Sequence, residues 1–186
     1  MASSLSEGDR DRILDYAQKA VSHAVRNRAA DPTPPEDGCF AVPGAAFVTL
    51  RRRAGGDLRG CIGHLVAHRP LGETLASVAL AAALEDPRFE PVAPEELEGL
   101  SVEVSVIGAF APTSDPLRDL RIGVHGLRIR HGDRSGLLLP QVAGEHRLDA
   151  TGFLDAVCRK AGLPAGIWRD AAARVDLFTA EVIGPG

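Results

Sequence analysis

Apolar residues recur at helical spacing near the start of the chain, at Ile13, Leu14, Ala17, Val21 and Val25. Ser6, with Asp9 three residues later, is a start signal of the capping-box kind. The spacing predicts an amphipathic helix over 8–28. The stretch "ADPTPPEDG" cannot continue it, because proline has no amide hydrogen and clashes with the preceding turn, so residues 30–38 read as a linker. The period then changes to two. "AAFVTLRRR" reads as a strand, "AGG" as a turn and "DLRGCIG" as the returning strand of a hairpin. After Pro70 the helical period comes back in "LGETLASVALAAALED", with Leu71, Leu75, Val78 and Ala82 on one face. Its small residues suit close packing on a sheet.

A short helical turn is expected at Pro94 to Glu98. "SVEVSVIG" then alternates strictly: Val102, Val104 and Val106 on one face, Glu103 and Ser105 on the other, the pattern of a half-buried strand. "GVHGLRIRHGDRSGLLLP" predicts a second hairpin with "GDRSG" as its loop, Leu127 and Ile129 alternating with Arg128 and Arg130. "TGFLDAVCRKAGLP" predicts a helix that buries Phe153, Leu154, Val157 and Cys158 and closes at Gly162 and Pro164, and "ARVDLFTAEVI" a final strand. Strands joined by short turns, with helices at the start, middle and near the end, predict an α+β fold: a mainly antiparallel sheet flanked by helices. No Gly-rich phosphate loop and no internal repeat occurs.

The chain has 186 residues, enough for one domain or a compact pair of lobes. Its net charge of -4 and 4% aromatic content count against a nucleic-acid surface, which needs clustered cations and stacking rings. The one basic run, Arg51 to Arg53, reads as a solvated hairpin rim. No apolar run approaches the roughly 20 residues of a membrane span, and the opening "MASSLSEGDRDR" has no apolar targeting segment. Cys39, Cys61 and Cys158 are odd in number and far apart, which fits a reducing cytoplasm better than a disulfide framework.

Candidate chemistry centres on "DLRGCIG". Strict alternation would put Arg59, Cys61 and Gly63 on one face and Leu58, Gly60 and Ile62 on the other. A guanidinium beside a thiol favours the thiolate, and flanking glycines leave room for a ligand or another backbone. The plain alternative is that Arg59 pairs with a carboxylate such as Glu103 while Cys61 simply packs. Cys61, His64 and His68 have the spacing C-x2-H-x3-H, but a fourth zinc ligand is not evident, and no metal is expected. A Cys-His pair would need an imidazole within reach; of the candidates His64, His68, His125, His131 and His146, His125 in "VHG" stands at a tight turn. In "LEDPRFEPV", Asp86, Arg88 and Glu90 alternate in charge. Proline fixes the path, Phe89 can anchor it in a core, and Arg88 can offer a fork to an anion. A salt-bridged, proline-braced connection is the equally open reading.

"LRGCIG", "DPRFEPV", "EELEGLSVEVSV", "IGVHGLRIR", "GLLLPQVA" and "FLDAVCRKAGLP", in that order, resemble the AMME chromosomal region gene one family. Its bacterial and archaeal members are called AmmeMemoRadiSam system protein A. The resemblance runs from about Phe47 to Glu181 and makes residues 1–186 a single domain of this type. It implies a two-lobed α+β fold with a cleft between a larger and a smaller lobe, the signature lying by that cleft. It also implies companions, a Memo-like protein of dioxygenase-related fold and a radical S-adenosylmethionine protein. The matching positions are Arg59, Gly60, Cys61 and Gly63; Asp86, Pro87, Arg88 and Phe89; Glu103 and Ser105; His125 and Gly126; and Pro140, Gln141 and Lys160. His64 and His68 fall outside the signature. The resemblance names no reaction.

Two functions follow as expectations. One is an enzyme or enzyme subunit in which Cys61 acts, Arg59 favours the thiolate or holds an anion, and His125 or Glu103 moves the proton. Gly60, Gly63, Asp86, Arg88, Phe89 and Ser105 would then bind a small molecule, without a cofactor. The alternative is a non-catalytic protein that binds a small molecule or a partner. An RNA-associated module is the weakest of the readings, given the charge.

Overall fold

In the computed structural model, which describes residues 5–184, the first helix, α1, spans Glu7–Asn27. The Ser6 hydroxyl accepts the Asp9 amide at 3.1 Å, and Arg28, at φ 56, closes the last turn. Ile13, Ala17, Ala20, Val21, Ala24 and Val25 form its buried stripe. Residues 30–38 fold back on this helix. Arg12 Nη2 donates to both carboxylate oxygens of Asp37, at 2.7 and 2.8 Å, and the Pro35 carbonyl sits where a side chain on Gly72 would be. Phe40, in the turn Gly38–Phe40, is buried edge-on against Tyr16.

The chain divides into two compact units, one running to Ile107 and resuming at Glu181, the other Gly108–Ala180. In the first, β1 (Ala45–Arg52) pairs antiparallel with β2 (Leu58–Gly63). Helix α2 (Leu71–Leu84) follows, then the turn Pro94–Gly99 and β3 (Leu100–Ile107), which pairs antiparallel with the other side of β1. The order is β2-β1-β3, with β2 at the edge. Val48, Leu50, Val102 and Val104 turn to the helices and join one core with Leu75, Val78 and Ala79. The alternation expected of "SVEVSVIG" holds for Val102 and Val104. At its end Val106 is only half-buried, and Ser105 is 2% exposed.

Small residues bring α2 close to the sheet. Gly60 faces it, and a Cβ there would overlap the Ala82 carbonyl oxygen.

The second unit holds β4 (Ala111–Thr113), the short helix α3 (Pro116–Asp119), β5 (His125–His131), β6 (Arg134–Leu138), helices α4 (Pro140–Glu145) and α5 (Ala150–Lys160), and β7 (Arg174–Ile183), whose end from Glu181 counts with the first unit. Strand β7 pairs antiparallel with β4 and β5, and β5 with β6. Leu127 and Ile129 alternate inward as expected, meeting Phe153, Leu154, Val157 and Cys158 of α5, all fully buried. The hairpin loop is shorter than "GDRSG". Arg134 pairs with His131, so only Gly132 and Asp133 turn the chain, and Gly132 supplies the positive φ, 56°. Strand β4 and helices α3 and α4 are too short to show a period in sequence; prolines open both helices.

The described strand pairings are all antiparallel, and the fold is α+β. Among the described residues no helix is long and apolar enough to cross a membrane.

Gly60→Ala should destabilise the protein by about 2 kcal/mol or more, because the obstacle is backbone that cannot swing away. Gly99→Ala, where nothing lies within 4 Å of the added carbon, should shift stability by less than about 0.5 kcal/mol. Urea unfolding midpoints of the two variants measure the contrast; equal midpoints contradict it.

Candidate functional site

Thr49 and Cys61 are directly opposite each other across β1 and β2. In such antiparallel positions a residue either exchanges hydrogen bonds with its partner or turns its amide and carbonyl away, and the second kind of pair brings the side chains closer. Cys61 is of the second kind. The Thr49 hydroxyl donates to its sulfur at 3.3 Å, while its N–H and C=O point out from the sheet edge.

Both outward groups are met by the segment after α2. Pro87 cannot extend the helix, and the chain turns so that Asp86 Oδ2 accepts the Cys61 amide at 2.9 Å. Arg88 Nη2 donates to the Cys61 carbonyl at 3.1 Å. The two side chains hold each other, Nη2 to Oδ2 at 2.7 Å and Nε to Oδ1 at 2.9 Å. A carboxylate and a guanidinium thus stand where the next strand's C=O and N–H would be. Asp86 is buried and Arg88 half-exposed, its guanidinium also 5.5 Å from the centre of the Phe89 ring. The hydrogen bond from Arg88, aided by the Cys61 amide, holds the Asp86 carboxyl far below the usual carboxylate range against the opposing effect of burial. Asp86 in turn raises the pKa of Arg88, and the Cys61 side chain adds to the same effect. The guanidinium bound to Cys61 therefore belongs to Arg88, and it holds the backbone carbonyl.

Arg59 does something else. The β1–β2 register slips between Leu50 and Arg51: Leu50 faces Gly60 and Arg51 faces Leu58. Arg59 is the extra residue of a bulge, so the strict alternation that would set it beside Cys61 is broken there. Its side chain, 7% exposed, forks onto Glu96 at 2.8 and 2.9 Å and donates to the Glu90 carbonyl at 2.9 Å. It does pair with a carboxylate, and that carboxylate is Glu96, not Glu103. The Arg59 hydrogen bonds and the Ala93 amide lower the Glu96 carboxyl to about 2. Arg52, on the hairpin rim, reaches the same carboxylate at 3.5 Å.

The remaining predicted residues divide by position. Glu103 is opposite Thr49 on β3, so Cys61, Thr49 and Glu103 form a row across three strands. Gly63, Phe47 and Ser105 form the next row. The two glycines of the signature do not leave empty space. The Ala82 carbonyl fills the position over Gly60, and the Phe47 ring and Ala46 carbonyl fill that over Gly63. Phe89 is half-buried; the buried anchor of its segment is Val92, whose amide donates to Ala83 O at 2.8 Å. His125 lies in the second unit, where its Nδ1 accepts the Arg121 amide at 3.1 Å. His64 and His68 are exposed beside a cavity of about 330 Å³, and no three His, Cys, Asp or Glu among the described residues are grouped as metal ligands. Burial pushes up the thiols of Cys158 and Cys39, and the Asp9 carboxylate adds to the effect at Cys39.

Sequence reading missed Thr49 and Glu96. Counting back through the hairpin turn is the signal for Thr49, but the bulge at Arg59 shifts that count by one. For Glu96 the signal was a Glu three residues after Ala93, the residue that precedes a proline-led turn, and it accepts the Ala93 amide at 3.0 Å.

A family model described as AMMECR1 matches residues 14–183. A protein of Thermococcus gammatolerans is 45% identical over 181 residues, covering 91% of this chain and 87% of its own length. One of Methanothermobacter thermautotrophicus is 39% identical over 187 residues, covering 96% and 95%. Among solved structures, the uncharacterised protein PH0010 of Pyrococcus horikoshii is similar with a TM-score of 0.82 and 37% identity, over 92% of this chain and 88% of that one.

The Arg59–Glu96 pair sets an acid dependence. The Glu96 carboxyl is lower in the folded chain than in the unfolded one, about 2 against 4.5, so its contribution is complete above pH 4.5 and is lost as pH falls through about 2. Glu96→Gln should cost about 2 to 3 kcal/mol at neutral pH, because it leaves a buried guanidinium unpaired. The gap between the two proteins should close as pH falls from about 5 to 2. Urea midpoints of both proteins across this range measure it; a gap that stays constant contradicts the pairing.

Proposed function

The chain belongs to the AMMECR1 family, and from that premise we propose that the sheet face carrying Cys61, Thr49 and Glu103 is a small-molecule site at which Cys61 is the reactive nucleophile of an enzyme or enzyme subunit. The observation that carries this reading is the hydrogen bond from the Thr49 hydroxyl to the half-buried thiol of a cysteine whose own backbone carbonyl is held by the half-exposed Arg88 guanidinium. The thiolate is the nucleophilic form of a cysteine. Arg88 Nη1 has no partner among the described residues, which leaves part of the fork for an anionic group of the substrate beside the sulfur. Glu103 is the titratable group in the same row and carries the proton, with the Thr49 hydroxyl between them. In this reading the Memo-like and radical S-adenosylmethionine proteins are companions that supply or consume the small molecule.

A second reading, a binding protein that performs no chemistry, has one observation in its favour. Arg59, the arginine of the signature, is wholly engaged in holding Glu96 and the Glu90 carbonyl. In that reading the conformation of the signature serves to shape a surface, and Cys61 lines it.

Site-by-site alkylation by iodoacetamide, read by mass spectrometry on the folded protein, separates the two. The reactive-thiol reading expects Cys61 to be modified at least about tenfold faster than Cys39 or Cys158. Arg88→Met and Thr49→Val should each slow Cys61, while Arg59→Met should leave the rate of the folded protein unchanged. A Cys61 that is inert, or indifferent to both neighbours, leaves the binding reading in place.

A further inference from the structure

A cavity of about 710 Å³ lies wholly within the second unit, in the size range of small-molecule sites. Three arginines line it: Arg130 on β5, Arg174 on β7 and Arg169 in the turn Ile167–Arg169. Arg130 and Arg174 are direct cross-strand partners, so two like charges are set side by side on one face of the sheet. Such an arrangement costs stability unless a counter-charge lies between the two.

The carboxylates of the cavity do not pair with all three arginines. Asp176, buried, is the carboxylate paired with Arg130, and it is shared between Arg128 at 2.9 Å and Arg130 at 3.2 Å. Among the described residues neither Arg169 nor Arg174 has a carboxylate within salt-bridge distance. Asp115 and Asp170 also line the cavity, but neither is within salt-bridge distance of Arg169 or Arg174: Asp115 accepts the Arg118 amide at 3.2 Å, and Asp170 accepts the Ala172 amide at 2.8 Å and lies 3.8 Å from His131 Nε2. Arg169 is held in place. Its guanidinium lies 3.8 Å from the centre of the Trp168 ring, and Trp168 Nε1 donates to Asp155 at 2.9 Å. Leu117 and Pro112 give the same cavity an apolar wall.

We propose that this cavity binds a small phosphomonoester, its phosphate dianion taken between Arg130 and Arg174 with Arg169 as the third fork and its apolar body against the Leu117 wall. Guanidinium groups match phosphate oxygens in pairs, and a dianion neutralises the opposed arginines where a water molecule cannot. The site is independent of Cys61, and it stands or falls apart from the reading of that thiol.

The chain has a single tryptophan, Trp168, so its fluorescence reports on this cavity. The test titrates the full chain with phenyl phosphate, inorganic phosphate, benzoate and phenol, against sodium chloride at matched ionic strength. Saturable change is expected with phenyl phosphate and more weakly with inorganic phosphate, and none with phenol. Arg174→Gln should weaken phenyl phosphate at least about tenfold, as expected for loss of a charged hydrogen bond. The same variant, free of ligand, should melt at a higher temperature than the parent, since it removes the opposed charge. No saturation beyond chloride, unchanged affinity in Arg174→Gln, or a lower melting temperature overturns the proposal. Equal binding of benzoate overturns the assignment to a phosphate dianion.

Discussion

An edge strand carries a row of amides and carbonyls that its own sheet cannot pair. In this protein that constraint falls on β2, and at Cys61 it is met by two side chains, Asp86 and Arg88. Much of the first unit follows from that clamp. It fixes the course of the chain as it leaves α2, and so sets the segment that offers the Glu90 carbonyl and Glu96 to Arg59. The two arginines have separate tasks. Arg59, displaced by a bulge, ties β2 to the turn Pro94–Gly99; Arg88 closes the strand edge at the Cys61 carbonyl.

The same constraint explains why the glycines of "LRGCIG" are needed for packing. Gly60 admits the α2 backbone, and Gly63 lies under the Phe47 ring of the neighbouring strand. With both sides of β2 closely fitted, Cys61 has little freedom of position, and its sulfur is directed to the Thr49 hydroxyl. A thiol held so firmly suits either a reactive group or a fixed wall of a binding surface. Its exposed neighbour, the half-solvated Arg88, is what tilts the proposal toward chemistry on an anionic molecule.

Period-based features were legible in the sequence. The stripe of α1, the alternation of Val102 and Val104 and the inward pairs Leu127/Ile129 and Phe153/Leu154 all report one-sided burial, which leaves a regular trace. The bulge at Arg59 left none, because one extra residue breaks the alternation without altering the composition around it. The target of Asp86 was hidden for another reason: it caps a strand 25 residues away, and only the fold brings them together. The opposed Arg130 and Arg174 were visible as charges on two strands but not as partners, since register between strands so far apart in the chain depends on the whole sheet.

The most direct measurement of the clamp is amide hydrogen exchange at Cys61 by nuclear magnetic resonance, with Ile62, whose amide turns toward β1, as the internal reference. In the parent protein both amides should be protected. In Asp86→Ala the Cys61 amide should exchange faster relative to Ile62 by about tenfold to a hundredfold, the loss of one hydrogen bond to a charged acceptor. A Cys61 amide that exchanges freely in the parent, or that keeps pace with Ile62 in the variant, would contradict the claim that Asp86 closes the edge of the sheet.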